Sequence, residues 1–458
     1  MRVEEIIKVS HSADVVVVGG GPSGACAAIA AARNGMKTVL VEASGCAGGM
    51  ATMGLVGPFM TCYDKTGEVQ IIKGLFEEIV ERLVEKGGAI HPSEVRAGTP
   101  FTSWIKVGHD HVTPFEAEAL KIVLDEMFAE YGVTVLYHTL FSSPLMEGNR
   151  VKGIIVDSKN GRSIIEGKLF IDCTGDADLA YRAGVECVTG NGEGRIQPAS
   201  MFFRVGNVDL VKVSADIEAN KDNFYKKDGV NYRSLHWRVS EARANGDWTL
   251  NRVSIGLFRG VKEDEWSINT SRIMGIDSTD NESLTFGEME GRRQVQEIFK
   301  FFRKYVPGFE NAKLLSVAST LGIRESRHID SMVQLTLDDV LNGNVPEDSI
   351  FLASNSVDVH GKFGPMSNEY VTVQNGNFYG VPYGTLVPKK VEGLLVAGRC
   401  VGATSDAAGA IRVMPPCMAT GHAAGIAASI AVKDEVSVKD VDTSKLRKRL
   451  VEEGAYLG

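Results

Sequence analysis

The sequence predicts an α/β protein in which a parallel sheet, with flanking helices and an antiparallel meander, is interrupted by an inserted α+β segment. Three stretches predict it. "ADVVVVGGGPSGACAAIAAARNGMKTVLVEAS" (13–44) reads as strand, glycine turn, helix and second strand. "RVKGIIVDSKNGRSIIEGKLFIDCTG" (150–175) reads as a hairpin whose second arm returns to the sheet. "LLVAGRCVGATSDAAGAIRVMPPCMATGHAAGIAASIAV" (394–432) reads as a last buried strand followed by a helix of small residues.

In the first stretch, Asp14 to Val18 is a β-branched run suited to a strand buried on both faces. Gly19, Gly21 and Gly24 satisfy G-x-G-x-x-G, and Gly35 is the expected helix stop. Gly19 permits the tight turn, Gly21 lets a diphosphate approach the backbone, and Gly24 lets helix and sheet close up. The helix start, with Pro22 and Ser23, offers unpaired N–H groups and partial positive charge to phosphates. Glu42 ends the second strand 21 positions beyond Gly21, where a carboxylate accepts from both ribose hydroxyls and disfavours a 2′-phosphate. This is a Rossmann-like dinucleotide unit; the fingerprint itself does not choose between NAD and FAD.

"GCAGGMATMGLVG" (45–57) then extends the glycine-rich chain further than NAD requires, as suits a backbone running beside a longer cofactor. The segment from Cys62 to Thr113 reads as a small insertion. A helix follows, with Thr113 as the expected cap and Leu120, Val123, Leu124, Met127 and Phe128 on one stripe. "VTVLYHTLF" (133–141) reads as one strand, and Asn160-Gly161 as the type I′ turn of the hairpin. After Phe170 and Ile171, the chain turns at Thr174-Gly175-Asp176, beside the nucleotide crevice; Asp176 and Asp178 are also candidate caps for a following helix. From 185 to 379 charge and aromatics rise and no second glycine–strand–helix unit appears, so this is the expected substrate or cap domain. "GNGEG" (190–194) has neither a buried run before it nor a helix after it. The nucleotide domain is then discontinuous, 1–184 with 380–458. In the last stretch Gly398 is a turn, Pro415 or Pro416 opens the helix, and Gly421 and Gly425 give it a flat face. Its N-terminus is suited to negative charge on a reduced isoalloxazine.

With "VVVVGGGPSGACAAIAAARNG", "VEASGCAGGMAT", "FIDCTGDADLAYRAG", "LGIRESRHIDSMVQLTLDDVLNG" and "LLVAGRCVG…IRVMPPCMATGHAAG", the chain resembles the FAD-dependent oxidoreductase family, distantly related to the succinate dehydrogenase/fumarate reductase flavoproteins. The resemblance implies one FAD, held by Gly19, Gly21, Pro22, Ser23, Gly24, Glu42 and Ala43, and by Gly48, Gly49, Met50, Ala51 and Thr52. It extends that site to Phe141 near the adenine, to Thr174, Gly175 and Asp176, and to Gly398, Arg399 and Met414. No His or Cys lies in a covalent-flavin motif, so the flavin is expected to be non-covalent.

Composition narrows the function. The net charge of −9 argues against a nucleic-acid surface. The seven dispersed cysteines carry no zinc, iron–sulfur or redox-pair spacing, so no metal is expected and Cys46 and Cys62 read as structural thiols. No signal peptide or membrane span is visible, and a cytoplasmic protein is expected. Candidate catalytic residues are Arg324, His328, His360 and Arg412. If 321–329 is a strand, Arg324 and His328 share one face while Glu325 and Arg327 share the other. Each candidate has a structural alternative: ion pairs at an interface, or a packed histidine. Tyr379 and Tyr383 either line the approach or pack a turn. The expected activity is hydride transfer between FAD and a small polar or anionic molecule, with the electron donor or acceptor unknown and a homo-oligomer compatible with the sequence. Rivals are a monooxygenase or halogenase-like enzyme using NAD(P)H and oxygen, and an RNA-associated flavoprotein like the tRNA-modifying ones.

Overall fold

In the computed structural model, which describes residues 6–192, 194–227, 230–233, 235–253, 255–360 and 368–458, the β-branched run ends a strand β1 (Lys8–Val18) whose last four valines are buried. Helix α1 (Pro22–Arg33) follows, then β2 (Thr38–Val41) parallel to β1. Helix α2 (Leu75–Glu85) lies within the early insertion and packs its apolar face into the same core as α3 (Ala117–Tyr131). Strands β3 (Thr134–Leu136), β4 (Leu140–Glu147), β5 (Arg150–Ser158) and β6 (Gly161–Asp172) complete the order β3–β2–β1–β6–β5–β4. β6 belongs to both halves of the sheet. Its first half pairs antiparallel with β5, its last residues pair parallel with the strand Leu394–Val396, and its length runs parallel to β1. The expected α/β architecture, a parallel sheet with an antiparallel meander, is present.

The C-terminal helix Met414–Asp434 is buried almost throughout and lies against α1. A Cβ on Gly421 would stand 2.0 Å from the Ser23 carbonyl oxygen, and one on Gly425 2.4 Å from that of Ala27. Only glycine permits this approach of two helix backbones.

A second core, built from residues between Ala199 and Leu321, surrounds an antiparallel sheet of Leu257–Arg259, Trp266–Ile268, Phe203–Gly206 and Lys313–Val317. The helix Asn281–Tyr305 covers it, with Phe301 and Phe302 buried. Residues from Leu335 onward rejoin the first core. No helix among the described residues is long and apolar enough to cross a membrane.

Several local expectations are corrected. The N-cap position of α3 is Glu116, which makes no side-chain cap, because Thr113 is held in a two-bond bridge to Phe59. The strand expected over 133–141 breaks after Leu136, since His138 takes a positive φ and the chain turns back to Ser44 and Glu42. In the hairpin Ser158 pairs with Gly161, so Lys159 and Asn160 form the turn. The left-handed residue is Gly161 (φ 90°) and not Asn160, which excludes type I′. The C-terminal helix starts at Met414, ahead of its prolines. Glu193, Ser234 and Gly361, which fall in stretches read above, lie outside the described residues.

Candidate functional site

Three parallel strands end side by side, and their turns interlock. Gly19, after β1, has φ 96°, and a Cβ there would stand 2.5 Å from the Cys173 carbonyl oxygen, after β6. A Cβ on Gly24 would strike the Gly19 carbonyl at 1.8 Å. Gly398, after Leu394–Val396, has φ 92° and faces Ser23 Oγ in the same way, at 2.6 Å. Gly175 (φ 82°) lies under the Arg399 guanidinium. Gly21, the N-cap residue of α1, faces open space: nothing lies within 4 Å of its Cβ position. No side chain caps α1 and no acid occupies its first turn. In an open α/β sheet the carboxyl ends of such strands form the ligand crevice.

The chain after β2 lies along the same turn. Glu42 accepts from the Gly20 amide at 2.6 Å through one oxygen and from the Ser44 amide at 2.7 Å through the other. Ala43 is exposed beside it. The Gly48 amide donates to the Gly20 carbonyl, and a Cβ on Gly49 would stand 2.8 Å from Gly21 Cα. Met50 and Ala51 form a short 3-10 turn after Gly49, which Thr52 fixes by donating its hydroxyl to the Ala47 carbonyl at 2.7 Å. The chain that meets Glu42 from β3 is His138 and Thr139, whose amides bond to Ser44 and Glu42. Phe141 stands further along, in β4, with the Arg182 guanidinium 5.7 Å from its ring centre.

Asp172, a residue the sequence reading passed over, organises the turn after β6. Fully buried, it accepts from the Thr174 amide and hydroxyl and from the Ala180 amide, and burial pushes its carboxyl up to about 6. Thr174 in turn accepts from the Asp178 amide. Asp176 and Asp178 therefore do not cap α4 (Asp178–Arg182), contrary to the alternative weighed for them. Asp178 pairs with Arg327 at 3.0 Å, whereas Asp176 pairs with Arg399 at 2.7 Å and accepts from Ser278 at 2.7 Å. Burial works against the Asp176 charge, but Arg399 and the hydroxyls beside it hold its carboxyl below the ordinary value.

Met50 and Met414 also line a cavity of about 220 Å³ where the two cores meet. Arg324, His360 and Arg412, candidates from three distant segments, line it together. Asp358 joins two of them: its carboxylate is 3.0 Å from His360 Nε2 and 3.4 Å from Arg412. Asp358 and His360 are two apart on the strand Val357–His360 and so share a face, a signal present in "VDVH" that went unused. Burial opposes the Asp358 charge, but His360, Arg412 and Arg324 hold it far below the carboxylate range. Burial pulls His360 down to about 3 against the attraction of Asp358, with Arg324 adding to the fall, so the imidazole is neutral at ordinary pH. Arg324 donates to the Pro198 carbonyl, and no carboxylate among the described residues lies within ion-pair reach of it. Burial and the neighbouring Arg412 pull its guanidinium down to about 9, still cationic at neutral pH.

His328 is not part of this cavity. The chain around Arg324 is not a strand; only Arg327–Ile329 is, so the expected alternation of faces fails. His328 is buried 3.5 Å from Glu325 and lines a separate groove, which His360 also reaches. Tyr379 and Tyr383 are buried and donate to the carbonyls of Asn355 and Val438, which makes them packing residues. Cys62 is a buried thiol pushed well above its ordinary value, as a structural cysteine would be. Asn269, Asn355 and Arg252 also line the cavity, and no local pattern marks them.

Among solved structures, the chain is similar to a geranylgeranyl bacteriochlorophyll reductase-like protein from Thermoplasma acidophilum, at 14% identity, TM-score 0.47 and coverage of 97% of this chain and 84% of that one. It is similar to p-nitrophenol 4-monooxygenase from Pseudomonas putida at 12% identity, TM-score 0.46 and coverage of 97% and 87%. The L-amino acid deaminase from Proteus myxofaciens gives 11%, 0.47, and 97% and 95%. Likenesses this distant carry nothing about reaction or substrate. No curated protein sequence matches the chain. A family model described as FAD dependent oxidoreductase matches residues 14–450, nearly end to end, so the chain belongs to that family: an FAD-dependent oxidoreductase.

Proposed function

We propose that the protein transfers hydride between non-covalent FAD and a small anionic molecule held at Arg324. The observation that carries this reading is a half-buried guanidinium, facing a cavity, with no carboxylate in reach among the described residues. An uncompensated buried cation is costly, and an anionic ligand supplies the missing charge.

The turns around Gly21 fit FAD. Main-chain amides and the uncapped start of α1 suit its diphosphate, and Glu42 suits a ribose. Segment 48–52 leads from those turns to Met50, which lines the cavity together with Met414 at the start of the C-terminal helix. When bound, FAD supplies the two-electron chemistry. The protein's own residues hold the anion at Arg324, keep Arg412 and His360 oriented through Asp358, and exclude water with Phe202, Ile255 and Phe258. Phe202 and Ile255 belong to the 199–321 core and Phe258 lies on a strand of its sheet; we take this core as the inserted domain that closes the site.

Titrating the holoenzyme with small carboxylates tests this, because an anion beside the ring perturbs the flavin absorbance. Arg324→Met should weaken that binding by roughly tenfold to a hundredfold, as loss of a charged hydrogen bond does. Anion binding that survives Arg324→Met unchanged, or no anion effect in the native protein, would overturn the reading. Reoxidation of the photoreduced enzyme by a panel of acceptors separates a dehydrogenase from an oxygen-using enzyme.

A further inference from the structure

We infer that the anion is a hydroxycarboxylate, its carboxylate on Arg324 and its hydroxyl donating to the side-chain amide oxygen of Asn269 or Asn355. This rests on the anion site proposed above and adds what the remaining walls read. Asn269 Oδ1 and Asn355 Oδ1 are buried acceptors without a hydrogen-bond partner, and both residues line the cavity of Arg324. The orientation of Asn355 is fixed, because its Nδ2 donates to the Thr61 carbonyl at 3.1 Å. Buried acceptors of this kind cost free energy unless a donor reaches them.

A ligand that satisfies both features needs a negative end and an O–H or N–H donor. Charge decides between them. Arg252, Arg324 and Arg412 line the cavity, and Asp358 is the one carboxylate among its described lining residues. An ammonium group is repelled there, whereas a neutral hydroxyl is not. The rest of the wall includes Met60, Ile105, Ile255 and Phe258, which suits an apolar remainder on the acid.

The oxidation balances with the established cofactor. The carbinol C–H bond breaks and its electron pair leaves as hydride to FAD. The hydroxyl, which on binding donates to the amide oxygen, turns to the His360 imidazole across the same cavity and gives up its proton there, and the carbon keeps a C=O bond. The positive charge of Arg324 is one cause of the weak basicity of His360, and a carboxylate bound there offsets it. Substrate binding thus strengthens the base, and Asp358 stabilises the imidazolium that forms.

Anaerobic titration of the holoenzyme with matched acids tests the inference: mandelate against phenylacetate and phenylglycine, lactate against propionate and alanine. At least one hydroxy acid should bind about tenfold more tightly than its deoxy partner, the upper value for one hydrogen bond, and should bleach the flavin. The amino acids should bind no better than the deoxy acids. In Asn269→Ala or Asn355→Ala the hydroxyl preference should fall to about threefold or less. If deoxy acids bind through Arg324 and the hydroxyl adds nothing, or amino acids bind equally well, the inference fails while the anion site stands. If both Asn variants keep the full preference, the assignment to these amides is wrong. If no acid binds at all, the anion site fails with it.

Discussion

Replacing Gly421 by alanine should loosen the nucleotide cradle from behind. The added Cβ would lie 2.0 Å from the Ser23 carbonyl oxygen and 2.7 Å from its carbon. Ordinary contact begins near 3.4 Å, so the helices must open locally by about 1.4 Å. A main-chain carbonyl cannot swing aside as a flexible side chain can, which places the cost toward the upper end of the ~1–3 kcal/mol typical of overpacking. Ser23 also backs Gly398 and lies in the first turn of α1, so the displacement falls on the turn proposed to receive the diphosphate. If about half of that cost appears in binding, the FAD dissociation constant rises roughly tenfold. The assay is equilibrium binding of FAD to the stripped protein, together with its thermal midpoint. Gly425→Ala is the control: its Cβ would meet the Ala27 carbonyl at 2.4 Å, one turn further from the cradle. It should lower the midpoint while leaving FAD affinity within about threefold of the native value, because strain spreads over about one turn. Native FAD affinity and midpoint in Gly421→Ala, or equal weakening of FAD in both variants, would refute the reasoning.

Three further outcomes follow from buried charges. Asp176→Ala leaves Arg399 inside without its partner and should destabilise by about 3–5 kcal/mol in chemical denaturation, with Asp176→Ala/Arg399→Met recovering most of it. Arg324→Met removes an unpaired cation and should hold the native thermal midpoint, whereas Arg412→Met, which takes a partner from Asp358, should lower it. Asp172 gives a pH signature. Burial raises its folded carboxyl from 3.8 to about 6, so the folded protein binds the extra proton between those values. Its contribution to stability is therefore present below about pH 4 and lost as pH rises through 6. The amount is on the order of 3 kcal/mol for a group buried this fully. Asp172→Asn should flatten that decline in denaturation curves taken from pH 4.5 to 7; an unchanged slope would place its pKa near the ordinary value.

The cradle was legible because its signals are local. A buried run, three glycines at fixed spacing and an acid at the end of the next strand lie within a few dozen residues, and each constrains the backbone directly. The cavity was legible only as a set of separate suspects. Arg324, His360 and Arg412 come together through packing between elements far apart in the chain, which periodicity does not report. His328 falls outside the cavity because strand alternation over 321–329 fails: only Arg327–Ile329 is a strand, paired with Cys187–Thr189. Asp176 and Asp178 look like caps in the sequence while Asp172 does that work, because the acid that ends a strand and the acid that opens a turn carry the same local signal. Asn269 and Asn355 carry no pattern; only their unsatisfied oxygens distinguish them.

The position of Gly398 and Gly421 has a consequence for biosynthesis. Residues 1–184 carry the nucleotide fingerprint, yet the wall behind Ser23 is delivered by Gly398 and Gly421, which are synthesised much later. A nascent polypeptide stalled before the strand Leu394–Val396 has the recognisable motif without its backing and should not retain flavin. One extended well past Asp434 should load it, so cofactor capture reports that this strand and the helix after it have emerged, and stalled-chain fluorescence can read it directly.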